Sequence, residues 1–176
     1  MNSRRDSRSD GNDDGFDASG LSLERTGESI VQSGQLTSRR AAQILAEKSS
    51  KYVIPTASQR QNLLVAFAKT GKAVYGRAFD LVKLERPLNL SDLHEVESHL
   101  STVTLIEVKS TKKQLPPDFA GFFFALTGGE VLVAQSLKSQ FRFALVNTVS
   151  EDYLEMSLGD IFSRARGIYP TWSVSF

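Results

Sequence analysis

The spacing of apolar residues changes near residue 71, and this change constrains the fold more than any other feature of the sequence. Before it, "LTSRRAAQILAEKSS" and "TASQRQNLLVAFAKTG" space their apolar residues as one face of a helix does. After it, "KAVYGRA", "FDLVKLE" and "TVTLIEVKS" have the composition and alternation that are typical of β-strands. The sequence therefore predicts two helices followed by three strands.

The segments between and after these strands extend a layered pattern. "PLNLSDLHEVESHL" predicts a short helix between the second and third strands, and "FAGFFFALTG" predicts a further strand. A helix over "GEVLVAQSLKSQ", a strand over "FRFALVNTV", a helix or loop over "LEMSLGDIFSRA" and a closing strand over "TWSVSF" follow. We therefore expect the α/β class, with a mixed sheet rather than a strictly alternating, doubly wound one.

Capping residues predict where the helices begin and end. Ser or Thr followed three residues later by Glu or Gln forms a capping box, and glycine is suited to the residue after a helix. Gly71 is therefore expected to end the second helix. The predicted starts are Thr37 or Ser38, Ser58 with Gln61, Ser91, and Thr127 with Glu130.

Composition divides the chain into two parts. Residues 1–36 are rich in Ser, Asp, Gly, Asn and Arg and hold four basic and seven acidic residues. We expect a disordered polar tail, which either solubilises the chain or binds a regulatory partner. Residues 37–176 hold 17 basic and 13 acidic residues and are long enough for a single domain. This mild positive charge is compatible with nucleic-acid binding without requiring it.

Composition also excludes several classes of function. The chain has no cysteine, which excludes disulfides, thiol nucleophiles and thiolate zinc sites. Its longest apolar runs are too short to cross a bilayer, and its first 20 residues lack the apolar segment of a secretory signal. We therefore expect an intracellular protein without a membrane partner, cytoplasmic or, in a eukaryote, nuclear.

Two short motifs resemble known binding motifs but do not have the required residues or spacing. "AFAKTGKA" lacks the first glycine and the final hydroxyl residue of a phosphate-binding loop, and it follows a helix rather than a strand. His94 and His99 in "HEVESH" are five residues apart, which places them about 140° apart around a helix. Because the chain has no other histidine, neither a two-histidine metal site nor a Ser-His triad is supported.

Charged residues inside apolar strands are the strongest candidates for chemistry. Asp80 lies in "GRAFDLVKL", and Glu107 and Lys109 lie on one face of "TLIEVKST", whose isoleucine and valine point to the other face. Buried charges are costly unless they are paired or bound to a metal. Two carboxylates on one sheet suit a divalent cation, and a lysine beside them can orient or deprotonate a water or stabilise charge on a phosphate. The alternative is a solvent-exposed Glu–Lys pair worth about 0.2–1 kcal/mol.

These segments resemble the PD-(D/E)xK nuclease superfamily. Its restriction-endonuclease-like core has a helix, a three-stranded meander carrying Asp and then Glu-x-Lys, a helix and a further strand. Within it, "GRAFDLV", "LIEVKST" and "FALTGGEVLVAQSLKSQFRFALV" are similar to the nuclease-like domain at the C-terminus of plant NO VEIN proteins, which also occurs in bacterial defence and restriction proteins. The resemblance covers residues 58 to about 150 and implies that residues 37–176 form a single nuclease-like α/β domain.

The resemblance also implies a catalytic set and a cofactor. Asp80 and Glu107 would ligate Mg²⁺ or Mn²⁺ together with the backbone carbonyl of Val108, and Lys109 would position the attacking water. Glu130 matches a glutamate that the family keeps at its helix start, although the capping box explains this residue structurally.

We therefore expect a metal-dependent endonuclease or exonuclease that hydrolyses DNA phosphodiester bonds. The alternative is a catalytically inactive nuclease-fold module that binds or assembles within a defence, mobile-element or viral system. The basis for this alternative is the first helix of the family core. Many members carry a glutamate near the metal on that helix, whereas this chain has Gln59, Gln61 and Asn62 there, in its second predicted helix. A structural subunit with an exposed charged pair is a third hypothesis.

Basic residues near the predicted site are candidates for contacts with nucleic acid. Lys112, Lys113 and Arg77 would contact phosphates, and a solvated loop is the alternative for the two lysines. The expected partner is nucleic acid, DNA in the first place, and the sequence leaves open a homodimer or a larger protein complex. Trp172 and Phe176 are expected in the core or in an interface rather than stacked on bases.

Overall fold

The strand with the alternating apolar and charged residues is the central strand of the sheet. β3 (Val103–Thr111) lies between β2 (Leu81–Leu84) and β4 (Phe141–Asn147), and β1 (Tyr52–Val53) and β5 (Tyr153–Met156) form the edges. β2 is antiparallel to β1 and β3, β4 is parallel to β3, and β5 is antiparallel to β4. The sheet is therefore mixed, which confirms the predicted α/β class.

The computed structural model describes residues 37–76 and 78–169, all of which belong to one compact unit. The predicted disordered tail over residues 1–36 lies outside the described residues. So do Arg77 and the predicted closing strand with Trp172 and Phe176.

Helices flank the sheet within the described ranges. They are α1 (residues 37–48), α2 (Ala57–Lys69), α3 (Leu93–Ser98), α4 (Gly128–Leu137) and α5 (Leu158–Arg164). α4 connects the parallel strands β3 and β4, which a short turn cannot join. None of the described helices combines the length and the apolar character needed to cross a bilayer.

Two apolar clusters show that helices cover both faces of the sheet. On one face, Ile44 of α1 packs in a cluster with Ile106 and Val108 of β3. On the other face, Val133 of α4 packs in a cluster with Leu105, to which α2 and α3 also contribute. Side chains alternate along a strand, so the two charged residues of β3 share the face of Leu105, as the sequence predicts, and this is the face that α4 covers.

Two segments that the sequence predicts as strands do not pair with the sheet. Residues 72–76 and residues 119–127 run without strand pairing, and Val74, Phe122 and Phe124 pack on the apolar cluster of the α4 face instead. The predictions over "KAVYGRA" and "FAGFFFALTG" were therefore wrong. Strand-forming residues suit any half-buried extended segment, so their pattern does not distinguish pairing within a sheet from packing over it.

Both edge strands lie where the sequence did not predict strands. β1 comes before α2, and it pairs Tyr52 with Lys83 and Val53 with Val82. A strand of two residues is too short to produce a periodic signal. The antiparallel set is thus β1, β2 and β3, with α2 between the first two strands. β5 and α5 occupy the segment for which the sequence predicted a helix or a loop.

The predicted start of α4 is confirmed, whereas α2 begins earlier than predicted. In α4 the N–H of Glu130 donates to Thr127 Oγ1 over 3.2 Å, and the N–H of Thr127 donates to Glu130 Oε2 over 3.0 Å. In α2 the capping box joins Thr56 and Gln59 rather than Ser58 and its partner. The sequence has capping-box spacing in both registers, and spacing alone does not select between them.

The remaining helix boundaries follow local capping chemistry. α3 is capped by Asp92 rather than Ser91, because the Asp92 carboxylate accepts the N–H groups of His94 and Glu95. Thr37 and Ser38, the predicted caps of α1, both lie within that helix. Gly71 follows α2 with φ of +75°, a conformation that glycine adopts without a Cβ clash, which confirms its predicted role.

The packing of α1 on the sheet predicts a large effect of truncating Leu45, which is fully buried in the α1-face cluster. We expect Leu45→Ala to lower the free energy of unfolding by about 2–5 kcal/mol, through lost burial and the cavity left behind. Gln43→Ala on the exposed side of α1 should change it by less than about 0.5 kcal/mol. Urea denaturation followed by circular dichroism measures both, and equal effects would contradict this placement of α1.

Candidate functional site

Asp80 is the residue immediately before β2, and pairing with β3 fixes its position. Its N–H donates to the carbonyl oxygen of Ile106 over 2.8 Å, and its Oδ2 accepts the N–H of Val108 over 2.9 Å. Leu81, the next residue, lies opposite Ile106 in the antiparallel register. Asp80 therefore lies beside Glu107, and the structure brings together the two carboxylates that the sequence predicts.

Lys109 forms ion pairs with carboxylates of two different elements. Its Nζ lies 3.0 Å from Glu107 Oε1 on β3 and 2.8 Å from Glu130 Oε2 on α4. The side chains are only 12%, 10% and 8% exposed for Lys109, Glu107 and Glu130. The hypothesis of a solvent-exposed Glu–Lys pair is therefore wrong. These charges are buried between β3 and α4 and are paired, as buried charges must be.

Glu130 has two roles, of which the sequence predicts one. The same Oε2 atom accepts the N–H of Thr127, which starts α4, and the ammonium of Lys109. One carboxylate thus joins the start of the helix to the central strand. The capping box explains why Glu130 stands at this position, and the ion pair with Lys109 explains why its side chain is buried.

Arg60 of α2 is the site residue that sequence reasoning missed. Its Nη2 donates to the carbonyl oxygen of Asp80 over 3.3 Å, and its charge acts on both Asp80 and Glu107. Arg60 lies three residues before Leu63 and seven before Phe67, both fully buried, so it belongs to the inward-facing side of α2. The sequence contained one signal of this role, because an arginine three and seven residues before buried apolar residues lies on the apolar face of a helix.

Burial and mutual repulsion make the two neighbouring carboxyl groups weak acids. Burial raises the pKa of Glu107 to about 8, with a further increase from the charge of Asp80, and the ammonium of Lys109 opposes this. Burial also raises the pKa of Asp80, and the Val108 N–H and the charges of Lys109 and Arg60 oppose the rise only in part. The pair therefore holds a proton more tightly than exposed carboxyl groups do.

The two cations of the site stay charged. Burial lowers the pKa of Lys109, but the charges of Glu107 and Glu130 outweigh this and raise it above its usual value. Burial lowers the pKa of Arg60, and the carboxylates of Asp80 and Glu107 oppose the change. An arginine side chain remains protonated in proteins, so the site contains two positive charges beside its carboxylates.

The other residues predicted for the site have different positions. Lys112 and Lys113 are exposed and follow β3 directly, at the end of the sheet where Asp80 lies. Val108 contributes its N–H to Asp80. The amides of α2 are engaged elsewhere, since Gln59 belongs to the capping box and Asn62 Nδ2 donates to the carbonyl oxygen of Leu90 over 3.0 Å.

The chemistry of these donors fits a magnesium ion held by few protein ligands. Among the described residues no group of three or more His, Cys, Asp or Glu side chains is arranged to hold a metal ion. Mg²⁺, however, is commonly bound through one or two carboxylates and completes its shell with waters and substrate phosphate. Asp80 and Glu107 supply two hard oxygen donors whose mutual repulsion a divalent cation would relieve.

Comparisons with protein-family models, with curated proteins and with solved structures found no match for this chain. The assignment of a function therefore depends on the geometry of the residues described above.

The raised pKa of Glu107 predicts how stability changes with pH when no divalent cation is present. The folded protein binds this proton more tightly than the unfolded chain, so the free energy of unfolding should fall as pH rises from about 4.5 to about 8. We expect Glu107→Gln to lose this contribution, so that the variant gains stability relative to wild type with increasing pH. One proton contributes at most about 1.4 kcal/mol per pH unit.

Denaturation in EDTA at several pH values between 4 and 9 measures this difference. Gln43→Ala, which removes no titratable group, should give a difference that does not vary with pH. A difference between Glu107→Gln and wild type that is constant across the same range would contradict the buried, cation-free carboxyl pair.

Proposed function

We propose that this chain is an intracellular, metal-dependent nuclease of the PD-(D/E)xK type that hydrolyses DNA phosphodiester bonds. The observation that carries the proposal is the convergence of Asp80, Glu107 and Lys109 at one end of the central strand. Asp80 and Glu107 would hold Mg²⁺ or Mn²⁺, with the carbonyl of Val108 as a further ligand. The cation would supply charge neutralisation for the phosphate and an activated water.

The order of the described elements supports the proposal. A helix (α1) precedes three antiparallel strands, and α4 connects the last of them to the parallel strand β4. Asp80 precedes the middle strand of this set, and Glu107 and Lys109 lie on the last one. This is the order of the PD-(D/E)xK core if α1 replaces α2 as its first helix, and α2 and α3 are then additional helices between the strands.

The charge of the site also supports a role with phosphates. Three carboxylates and two cations leave one negative charge when all five groups are ionised. A bound divalent cation changes the total to one positive charge, which attracts a phosphodiester. Lys109, whose pKa is raised, then acts as a cation that orients the attacking water or stabilises charge on the phosphate, rather than as a base.

Cleavage assays with matched variants test the proposal. Purified protein is incubated with supercoiled plasmid and with single-stranded DNA in Mg²⁺, Mn²⁺ or EDTA. We expect metal-dependent cleavage that falls at least about 100-fold in Glu107→Gln, because a metal ligand is lost, and in Lys109→Met, because a charge near the phosphate is lost. Both substitutions nearly preserve the length of the side chain. Circular dichroism is used to check that each variant is folded.

The chain offers a matched control on the other face of the sheet. Lys83 Nζ pairs with Glu155 Oε2 over 2.8 Å, and both side chains are partly buried. Lys83→Met and Glu155→Gln remove comparable charges away from the carboxyl pair and should leave cleavage near the wild-type rate. Undiminished cleavage by both Glu107→Gln and Lys109→Met would refute the catalytic assignment.

A second candidate function is the catalytically inactive module, which binds nucleic acid or assembles with a protein partner. One observation favours it: the positive charge of Lys109 is already balanced by ion pairs with Glu107 and Glu130. Absence of cleavage with every metal, together with DNA binding in EDTA that survives Glu107→Gln, would support this alternative over the nuclease.

Lys112 and Lys113 give a prediction that applies to both functions. If both contact phosphates, the double variant Lys112→Gln/Lys113→Gln should bind DNA more weakly, and the slope of log affinity against log salt should decrease by about 2. Lys51→Gln is the control, since the main-chain carbonyl oxygen of Lys51 accepts the N–H of Leu84, which places Lys51 at the far end of β2 from Asp80. Fluorescence anisotropy across a salt series measures the slopes. An unchanged slope would show that the two lysines form a solvated loop.

A further inference from the structure

Arg60 makes an unusual set of contacts with the stretch of chain that leads into Asp80. Its Nη1 donates to the carbonyl oxygens of Gly76, over 3.0 Å, and Phe79, and its Nη2 donates to that of Asp80 over 3.3 Å. The guanidinium also lies over the Phe79 ring, 4.2 Å from the ring centroid. A single side chain of α2 thus holds three carbonyl groups just before β2.

These contacts use the geometry of a guanidinium and not only its charge. The donors of arginine are arranged in a planar fork, which can reach several carbonyls at once while its face stacks on an aromatic ring. A lysine ammonium is a point charge on a flexible chain and does not reproduce this arrangement. Arg60 is also half-buried, so loss of its donors would leave these carbonyl groups without their side-chain partner at a position only partly open to water.

The contacts fix the main chain of Asp80 on two sides. Arg60 binds the carbonyl oxygen of Asp80, and the carbonyl oxygen of Ile106 binds its N–H. With its backbone held in this way, the Asp80 side chain reaches the N–H of Val108 and lies beside Glu107. Arg60 thus contacts the main chain that carries this carboxylate without hydrogen-bonding to the carboxylate itself.

We propose that Arg60 is a positioning residue, which holds the main chain before β2 so that the Asp80 carboxylate binds Val108 and faces Glu107. As a positioning role at a metal site, the inference rests on the proposed nuclease function. Outer-shell contacts that orient metal ligands typically change metal affinity or activity by about 10–100-fold when they are removed.

Variants of Arg60 test the proposal in two readouts. Arg60→Lys keeps the charge but loses the fork, and Arg60→Met loses both, while Arg39→Lys on the exposed side of α1 is the control. The first readout is the Val108 amide in ¹⁵N-labelled full-length protein in EDTA, with Asp80→Ala as the reference for a lost contact. We expect both Arg60 variants to move the Val108 amide resonance toward its position in Asp80→Ala, with Arg39→Lys unchanged.

The second readout is the Mg²⁺ concentration that gives half-maximal cleavage. We expect it to rise about 10–100-fold in Arg60→Lys and not at all in Arg39→Lys. Because Arg60→Lys keeps the charge, a Val108 amide and a Mg²⁺ midpoint that match wild type in this variant would overturn the positioning role. If Arg60→Met does not fold, Arg60→Lys decides the question.

The two readouts separate this inference from the proposed function. A shifted Val108 amide in Arg60→Lys, in a protein that neither binds metal nor cleaves DNA, would support the positioning of Asp80 and refute the nuclease. A Val108 amide that is unchanged in both Arg60 variants, in a protein that cleaves DNA, would overturn the positioning role and leave the nuclease intact.

Discussion

The pairing of Lys109 with two carboxylates is the interaction on which the arrangement of the site depends. A buried ammonium is costly unless opposite charges lie beside it, and β3 alone supplies only Glu107. The second carboxylate, Glu130, comes from the first turn of α4, which is also the helix that connects the parallel strands β3 and β4. The charge requirement of Lys109 and the connection between the strands therefore place the start of α4 at the same end of the sheet. Asp80 reaches that end from β2, so three elements distant in sequence meet around one strand.

The site contains two cations that partly balance its three carboxylates, and two of these carboxylates are placed to bind a metal ion. Without a cation, the raised pKa values of Asp80 and Glu107 favour a proton on this pair. A proton and a divalent cation relieve the same repulsion, so the two compete for the pair. Lys109 and Arg60 reduce the excess negative charge, which lowers the attraction of the site for any further cation. The carboxyl pair can therefore take up either a proton or a divalent cation, and the fold by itself is compatible with both candidate functions.

The sequence predicted the parts of the fold and site that depend on local pattern, and it missed those that depend on partners distant in sequence. Alternation on β3 placed Glu107 and Lys109 on one face, and the capping box located the start of α4, because both signals arise within a few residues. The segment at residues 72–76 has the composition of a strand but packs over the sheet, since propensity does not specify a pairing partner. Arg60 was missed because arginine is common on the exposed sides of helices, and its carbonyl partners lie 16 to 20 residues further along the chain.

The same charge balance determines how metal and DNA would influence each other. With a proton on the carboxyl pair the metal-free site has no net charge, and with all five groups ionised it has one excess negative charge, so in neither state does it attract a phosphate. A divalent cation bound in place of the proton makes the site positive, so in a nuclease each ligand must strengthen the binding of the other by the same factor. In the inactive module, nucleic acid would bind through exposed cations such as Lys112 and Lys113, which lie outside the buried cluster, and metal would not strengthen the binding. Coupling between the two ligands is therefore the property that separates the candidate functions, because both share the fold, the carboxyl pair and the basic residues beside it.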